Sequence, residues 1–568
     1  MSESSYTAAK GLDKLYEFER EPVSKDKLQP GKYFAGLFAG EHVAGTEFVI
    51  GALFVAWGVR TYDIIIGLLL GNLLAVLTWT FVCAPIAVKT RLTLYWFLRK
   101  VAGPVATTVY NILNALLFMV LAGCMITVSA SAVRIPFGIP AQTHWYPEDF
   151  RFVLVVFGVG AVVVTLAILG FKKLAQFASV CSPWMFLMFI AGALATLPGL
   201  VIMSGSGGLS SMADFWELAD RAIWTGSTPN GSEPLGFWQV AAFAWICNLA
   251  MHGGLSDMAL FRYAKSHWYG LYSAFGMYLG HYLAWICAGI MGAATALAAK
   301  TVISQVDAGG VAMYSLGISG AIAVVIAGWT TSNPTLYRAG LAFQAVTPGW
   351  PRWLVTLAVG IVTTIVASFP FVFTRLLDFV GYYGLLLMPV GAIAFTEFWI
   401  FPKFGLTQYW VSKKKILFSW PALVSWVISI AMAITLEQTG TLHLFFLFVP
   451  TWIVTVVLYL LFSTFAGARD KSPEIPEENL SETESSEKIN STSSLKSSDK
   501  RDIFMILSGI VALLALASCL FLSLWVFIKD TNGYQARFDT FKSVLIWPTL
   551  VYFISGTYYL IKRDKQKT

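Results

Sequence analysis

Charge is what this 568-residue chain has least of. Only 12% of its residues are Asp, Glu, Lys or Arg, against 57% hydrophobic, and its mean hydropathy is +0.67. A soluble domain carries about 25% charged residues, so this chain could not cover the surfaces of the several water-soluble cores its length would otherwise suggest. Cysteine is also scarce. The six (Cys83, Cys124, Cys181, Cys247, Cys287, Cys519) all fall inside apolar runs, which excludes a secreted disulfide scaffold and makes them small buried hydrophobes. No His-Glu-x-x-His and no Gly-x-x-x-x-Gly-Lys-Ser/Thr occurs, so neither a zinc hydrolase nor a phosphate-cradling loop is encoded in its usual form. Residues 1–32 contain no apolar run, and no cleavable signal peptide is expected there.

What is present is hydrophobic length. A bilayer core of about 30 Å takes about 20 apolar residues per helix. Fourteen stretches qualify, near 33–58, 62–87, 103–132, 152–170, 174–202, 236–256, 268–299, 310–337, 353–372, 379–402, 416–436, 442–466, 503–528 and 543–561. If they alternate across the membrane, the segments on the N-terminal side hold 30 of the 39 Lys and Arg. The positive-inside bias then puts both termini in the cytoplasm of a multi-pass protein of the cell (inner) membrane. The Ser-, Glu- and Lys-rich run 467–501 reads as a disordered linker. It divides the chain into a tail (1–32), a twelve-helix body (33–466) and a two-helix appendix (502–568), the appendix being a packing or assembly element.

Polar groups within spans are expensive in lipid and mark functional paths. The first span reads Phe38-Ala39-Gly40-Glu41-His42-Val43-Ala44-Gly45-Thr46-Glu47, an acid and an imidazole bracketed by the glycines at 40 and 45 at mid-depth. A helix interrupted there frees carbonyls for a cation and amides for a solute; otherwise Glu41 only pairs with a neighbour. The sixth span reads Asn248-Leu249-Ala250-Met251-His252-Gly253-Gly254, with Asp257 beyond it placed to pair with Arg262. Interruptions in the first and sixth spans are the spacing of two inverted five-helix repeats, about 33–202 and 236–402. In the eighth span Ala327, Thr330 and Thr331 share one helical face, and Ser332, Asn333 and Pro334 follow. Two hydroxyls and a carbonyl are hard oxygen ligands for an alkali cation, and Pro334 prevents normal hydrogen bonding around its turn.

With these stretches in hand, the chain resembles the first family of nucleobase:cation symporters, the group of cytosine permease, allantoin permease and the hydantoin transporter. The likeness runs over about residues 30–465. It rests on Gly71-Asn72-Leu73-Leu74 with Ala87-Val88-Lys89-Thr90-Arg91-Leu92-Thr93, on Ser256-Asp257 leading to Arg262-Tyr263-Ala264-Lys265, and on Trp329-Thr330-Thr331-Ser332-Asn333 continuing to Leu336-Tyr337-Arg338-Ala339-Gly340-Leu341. The resemblance implies an all-α LeuT-type 5+5 inverted-repeat fold, extended here by two C-terminal helices. It also implies alternating access and import of a planar heterocycle with Na⁺ or H⁺, with no cofactor.

It further implies a sodium site at Ala327, Thr330 and Thr331 with first-helix oxygens near Ala39 and His42. A ring would be sandwiched between aromatic groups of the third and sixth spans, at Phe118 and, where a small gap shifts the match, Trp245; the polar residues of these stretches, Glu41, His42, Asn248, His252 and Asn333, are then the candidates to meet its edges. The chain departs from the family pattern at three places: Ala122 stands where a polar partner can occur, Asn248 takes the ungapped sixth-helix aromatic position, and Glu41 is unexpected beside a neutral nucleobase. The expected partners are the heterocycle, the coupling cation and the lipid bilayer, without nucleic acid. A carrier of the same fold for an amino acid or other zwitterion is the alternative. A membrane enzyme with metal on His42 and His252, joined by Glu41 or Asp257, is a more distant one.

Overall fold

The computed structural model describes residues 17–142, 144–229, 231–370, 375–470, 503–528 and 532–565, and among them every regular element is helical. The principal helices are α1 (Gly31–His42), α2 (Glu47–Ala56), α3 (Thr61–Thr90), α4 (Leu94–Val133), α5 (Phe150–Ile168) and α6 (Phe171–Ser204). A short surface helix, α7 (Met212–Ala222), precedes α8 (Phe237–Ile246), α9 (Leu249–His252), α10 (Met258–Phe261) and α11 (His267–Ala299). Then come α12 (Ala308–Leu316), α13 (Ile318–Gln344), α14 (Arg352–Ala367), α15 (Leu376–Phe395), α16 (Trp420–Gln438) and α17 (Phe448–Ala468). The appendix is α18 (Ile503–Ile528), α19 (Tyr534–Val544) and α20 (Ile546–Lys565).

Ten of the described helices are long and apolar enough to cross a membrane, eleven with the bent pair α1–α2 counted as one. The other three expected spans fall on the broken sixth, on α13 with its polar face, and on the short α14. The linker expected at 467–501 lies, apart from its first residues, outside the described residues.

The first span bends by 51° between α1 and α2. The break falls at 43–46, slightly after the expected 40–45. Gly40 stays helical because its job is close packing: a Cβ there would come within 2.7 Å of Ala178 on α6. Gly45 sits in the break, where a Cβ would meet Val128 and the Val324 carbonyl, each at 3.0 Å, so α4 and α13 press directly on the unwound backbone. On the other side, a Cβ on Gly280 of α11 would strike the His42 carbonyl, so glycine lets the end of α1 seat against α11.

The sixth span breaks twice, at Cys247–Asn248 and over 253–257. In the second break Leu255 takes φ +62°, a left-handed conformation costing roughly 1–2 kcal/mol for a residue with a Cβ. Gly391 of α15 lies so close to the Gly253 carbonyl that no side chain fits between them. By contrast α13 runs unbroken through Pro334 and is buried along most of its length against α4. Two broken spans crossing beside long intact helices place irregular backbone only where protein covers it, as lipid requires.

Candidate functional site

At the break, the hydroxyl of Thr331 donates to the Glu41 carbonyl at 2.6 Å and to the Ala327 carbonyl at 3.0 Å. The Thr330 hydroxyl also donates to Ala327, at 3.0 Å. The eighth-span oxygens thus meet the end of α1, with one change of register from expectation. The first-helix oxygen beside them is that of Glu41. The Ala39 carbonyl accepts from the Val43 amide, and the His42 carbonyl faces Gly280. Helical rotation explains the difference: one residue turns the carbonyl by about 100°.

Three charges meet below the break with no water exposure. Arg338 of α13 donates to both carboxylate oxygens of Glu41, at 2.6 and 3.1 Å, and to Asp257 at 2.5 and 2.9 Å. The indole of Trp79 in α3 completes Asp257 at 2.6 Å. Arg338 and Asp257 are 0% exposed and Glu41 2%. This corrects the expected Asp257–Arg262 pair. Arg262 instead donates to the carbonyls of Phe18 and Ala259 and the hydroxyls of Tyr263 and Tyr337. The planar guanidinium fork is suited to hold two carboxylates at once.

Above the break, Glu47 opens α2 and accepts a hydrogen bond from the Trp285 indole. His281 Nε2 stands 3.7 Å from its other oxygen, the imidazole stacked on Trp285 with centroids 4.3 Å apart. The His42 ring meets His281 edge-on at 5.2 Å. Because His42 Nδ1 lies 2.9 Å from the Phe38 carbonyl it must carry the hydrogen there, and Nε2 has no protein partner.

Between the two clusters lies a cavity of about 50 Å³. Glu41, His42, Glu47, Asn248, His281, Thr331, Thr335 and Tyr383 supply its polar lining, and Leu121, Met125, Met251, Leu376 and Val380 much of its apolar wall. The volume is far below the roughly 300–1,000 Å³ of drug-sized sites. The Asn248 amide nitrogen is buried in this wall without a protein partner.

Of the expected solute residues, the structure brings Glu41, His42 and Asn248 to the cavity and places four behind its wall. Phe118 stands edge-on to Tyr383 at 6.0 Å. The Trp245 indole donates to Thr78 at 3.0 Å and packs on Phe448. His252 Nε2 bonds the Trp245 carbonyl at 2.8 Å, its ring against Trp79. Asn333 is 1% exposed, with neither polar side-chain atom partnered by protein. Glu47, His281, Arg338 and Tyr383 were not singled out from sequence. Glu47 and Arg338 are charges within apolar stretches, a signal that applied to them as much as to Glu41; Tyr383 had only its flanking Gly381 and Gly384 to mark it. No group of three or more His, Cys, Asp or Glu among the described residues is arranged to hold a metal, so the His42–His252 metal arrangement does not form.

No family model and no curated protein matches the chain. Solved structures do. Mhp1, a nucleobase-cation-symport-1 family transporter, in a closed conformation with bromovinylhydantoin bound, aligns with TM-score 0.59 at 15% identity, covering 80% of this chain and 96% of that one. Mhp1 in its inward-facing conformation gives the same score and identity. A Na⁺-coupled sialic acid symporter in a substrate-bound outward-open state aligns at 0.57 and 15% identity, over 83% of this chain and 98% of that one. The chain therefore has the LeuT-type helical fold that the resemblance implied.

Proposed function

We propose that this chain is a secondary-active symporter of the cell membrane, with cytoplasmic termini, that imports a nucleobase or related planar heterocycle together with Na⁺ or H⁺. The observation that carries the reading is the meeting of the first-span break with the eighth span. There the Thr331 hydroxyl reaches the carbonyls of both Glu41 and Ala327 and the Thr330 hydroxyl reaches that of Ala327, beside a cavity with an unpartnered amide. Hard oxygens so placed suit a small alkali cation, which would take the place of the hydroxyl protons now directed at the carbonyls.

A cation there would join α1 to α13 and fix the edge of the cavity against which Asn248, His42 and Glu47 present polar atoms. Each bound species then favours the conformation the other binds, and the coupling is reciprocal. Tyr383 offers the aromatic face nearest the cavity, and Phe118 and Trp245 reach a ring only after the walls move apart. A second reading, a zwitterionic solute such as an amino acid, draws support from Glu47, which could meet an ammonium, and from the unpartnered Asn248 amide nitrogen, which could donate to a carboxylate.

Thermal-shift screening of cytosine, uracil, hydantoins and amino acids against the purified protein, with and without Na⁺, tests both readings, since a ligand of the native state raises apparent stability. A heterocycle whose shift grows in Na⁺ is the expected result; an amino acid doing so instead selects the second reading. Thr331→Ala is expected to abolish sodium stimulation of uptake, and undiminished stimulation would overturn the cation assignment.

A further inference from the structure

A second, wider recess lies away from the candidate solute site. A groove of about 800 Å³ runs between α1 and α6 of the body and α18 and α20 of the appendix, touching α11. Its floor is made of small residues, among them Ala35, Gly36, Gly509, Ala512 and Gly556. Ser179 and Ser182 donate to the carbonyls of Ala175 and Ala178 at 2.6 and 2.8 Å, and the Tyr552 hydroxyl to that of Val180 at 2.7 Å. The wall is therefore apolar in effect as well as in composition.

Two features identify the occupant. The first is length. The lining residues run from Met505 to Leu516 on α18 and from Tyr552 to Arg563 on α20, a rise of about 17 Å on each. That is about half of a ~30 Å hydrocarbon core, the depth of a single leaflet. The second is charge at one end only. Lys32 and Arg563 stand at the mouth, with Lys562 and Lys565 on the same last turn of α20. One carboxylate, Asp564, sits among them, held by Lys32 at 2.9 Å and by Tyr33 and Gln176. Arg563 lines the groove beside Lys32; its Nε makes no hydrogen bond, approaching Asp564 to 3.6 Å, and its guanidinium lies 5.5 Å from the Tyr559 ring. A basic pocket between membrane helices, opening on an acyl-sized trough, has the chemistry of an anionic lipid site.

We propose that this groove binds one anionic glycerophospholipid, its phosphate at Arg563 and Lys32 and its acyl chains along Gly509, Ala512 and Gly556. The lipid would bridge the appendix to α1, the half-helix that carries Glu41 in its last turn. This inference is independent of the transport reading, since it concerns a different surface.

The test uses the full chain in nanodiscs of phosphatidylglycerol or of phosphatidylcholine, with bound lipid counted by native mass spectrometry after extraction and thermal unfolding measured in each. The wild type is expected to retain phosphatidylglycerol selectively and to unfold at a higher temperature in it. Arg563→Gln removes the guanidinium and leaves Asp564 its hydrogen bonds from Lys32, Tyr33 and Gln176, and should lose the selectivity while keeping its stability in phosphatidylcholine. Gly556→Leu places a side chain into the trough with no neighbour closer than 3.7 Å to its Cβ. It should fold normally and lose the retained lipid. Equal retention of both lipids by the wild type, or unchanged retention by Gly556→Leu, would mean bulk lipid only and overturn the proposal.

Discussion

Glu41 and Glu47 flank the same break in the first span, both 2% exposed, and are held in opposite ways. Glu41 shares a fully buried guanidinium with Asp257, so helices from both repeats, α1, α10 and α13, are tied through one cation. Glu47 has a neutral indole as donor, an imidazole at 3.7 Å, and the N-terminal end of its own helix α2. Both carboxylates line the cavity, but both oxygens of the first are held by a guanidinium, whereas the second accepts from a neutral donor at one oxygen and has only an imidazole 3.7 Å from the other. The difference teaches that a buried charge in a span is not one kind of signal. One acid is spent on tying helices together, and the other keeps an oxygen without a close donor at the cavity.

Removing Arg338 attacks that distinction hardest. Arg338→Met leaves Glu41 and Asp257 buried without a counter-charge, a situation that typically costs about 3–5 kcal/mol. The expected result is a large fall in unfolding temperature in detergent and loss of uptake. Arg338→Lys should recover only part of the stability, because an ammonium cannot reproduce the forked contact to both acids. The triple neutral variant Glu41→Gln, Arg338→Met, Asp257→Asn should be markedly more stable than Arg338→Met alone. If Arg338→Met unfolds like the wild type, the triad does not tie the helices together.

Glu47→Gln should do the reverse, with little change in stability and a clear change in transport. Glutamine keeps an acceptor for the Trp285 indole, so the cost should stay near that of one ordinary hydrogen bond, about 0.5–1.5 kcal/mol. Uptake and ligand-induced thermal shift should both fall well beyond what that small destabilisation explains. Normal transport by Glu47→Gln would return Glu47 to a packing role and erase the contrast with Glu41.

How much of this was legible beforehand follows from the range of the interactions. The break in the first span could be read because its causes are local, a charge and glycines within one turn, and it was misplaced by a few residues because Gly40 serves contact with α6. The alignment of Ala327, Thr330 and Thr331 is a property of one helix and needed no partner. The pairing of Glu41 with Arg338 joins residues 297 apart, and nothing near either one specifies it; proximity in sequence suggested Arg262 for Asp257, and packing chose Arg338. Glu47 lies at the far edge of the same motif, and its role depends on α11, whose π-helical turn over Met277–Ala284 presents His281. Tyr383 enters from α15 across the broken sixth span, a neighbour that only the assembled repeats define.

The smallest expected effect concerns Trp245, and it sharpens the comparison by asking whether aromatic groups divide as the acids do. In this closed arrangement its indole donates to Thr78, whose own hydroxyl is already satisfied by donating to Leu74 at 2.8 Å. Its ring stands edge-on to Phe448, with centroids 4.4 Å apart. Trp245→Phe therefore removes one neutral hydrogen bond without stranding a buried donor, and keeps an aromatic ring in place. Stability should fall by no more than about 1 kcal/mol, and the apparent affinity for solute should hold if a phenyl ring stacks as the indole would. Trp245→Leu separates the two roles, because it deletes the aromatic face while still filling the site. If the leucine variant raises KM and leaves the maximal rate alone, Trp245 swings onto the ring once the walls part. If it moves only the unfolding temperature, the stacking surface belongs to Tyr383, and Trp245 is to the sixth span what Arg338 is to the eighth, a part that holds the passage together rather than one that meets the solute.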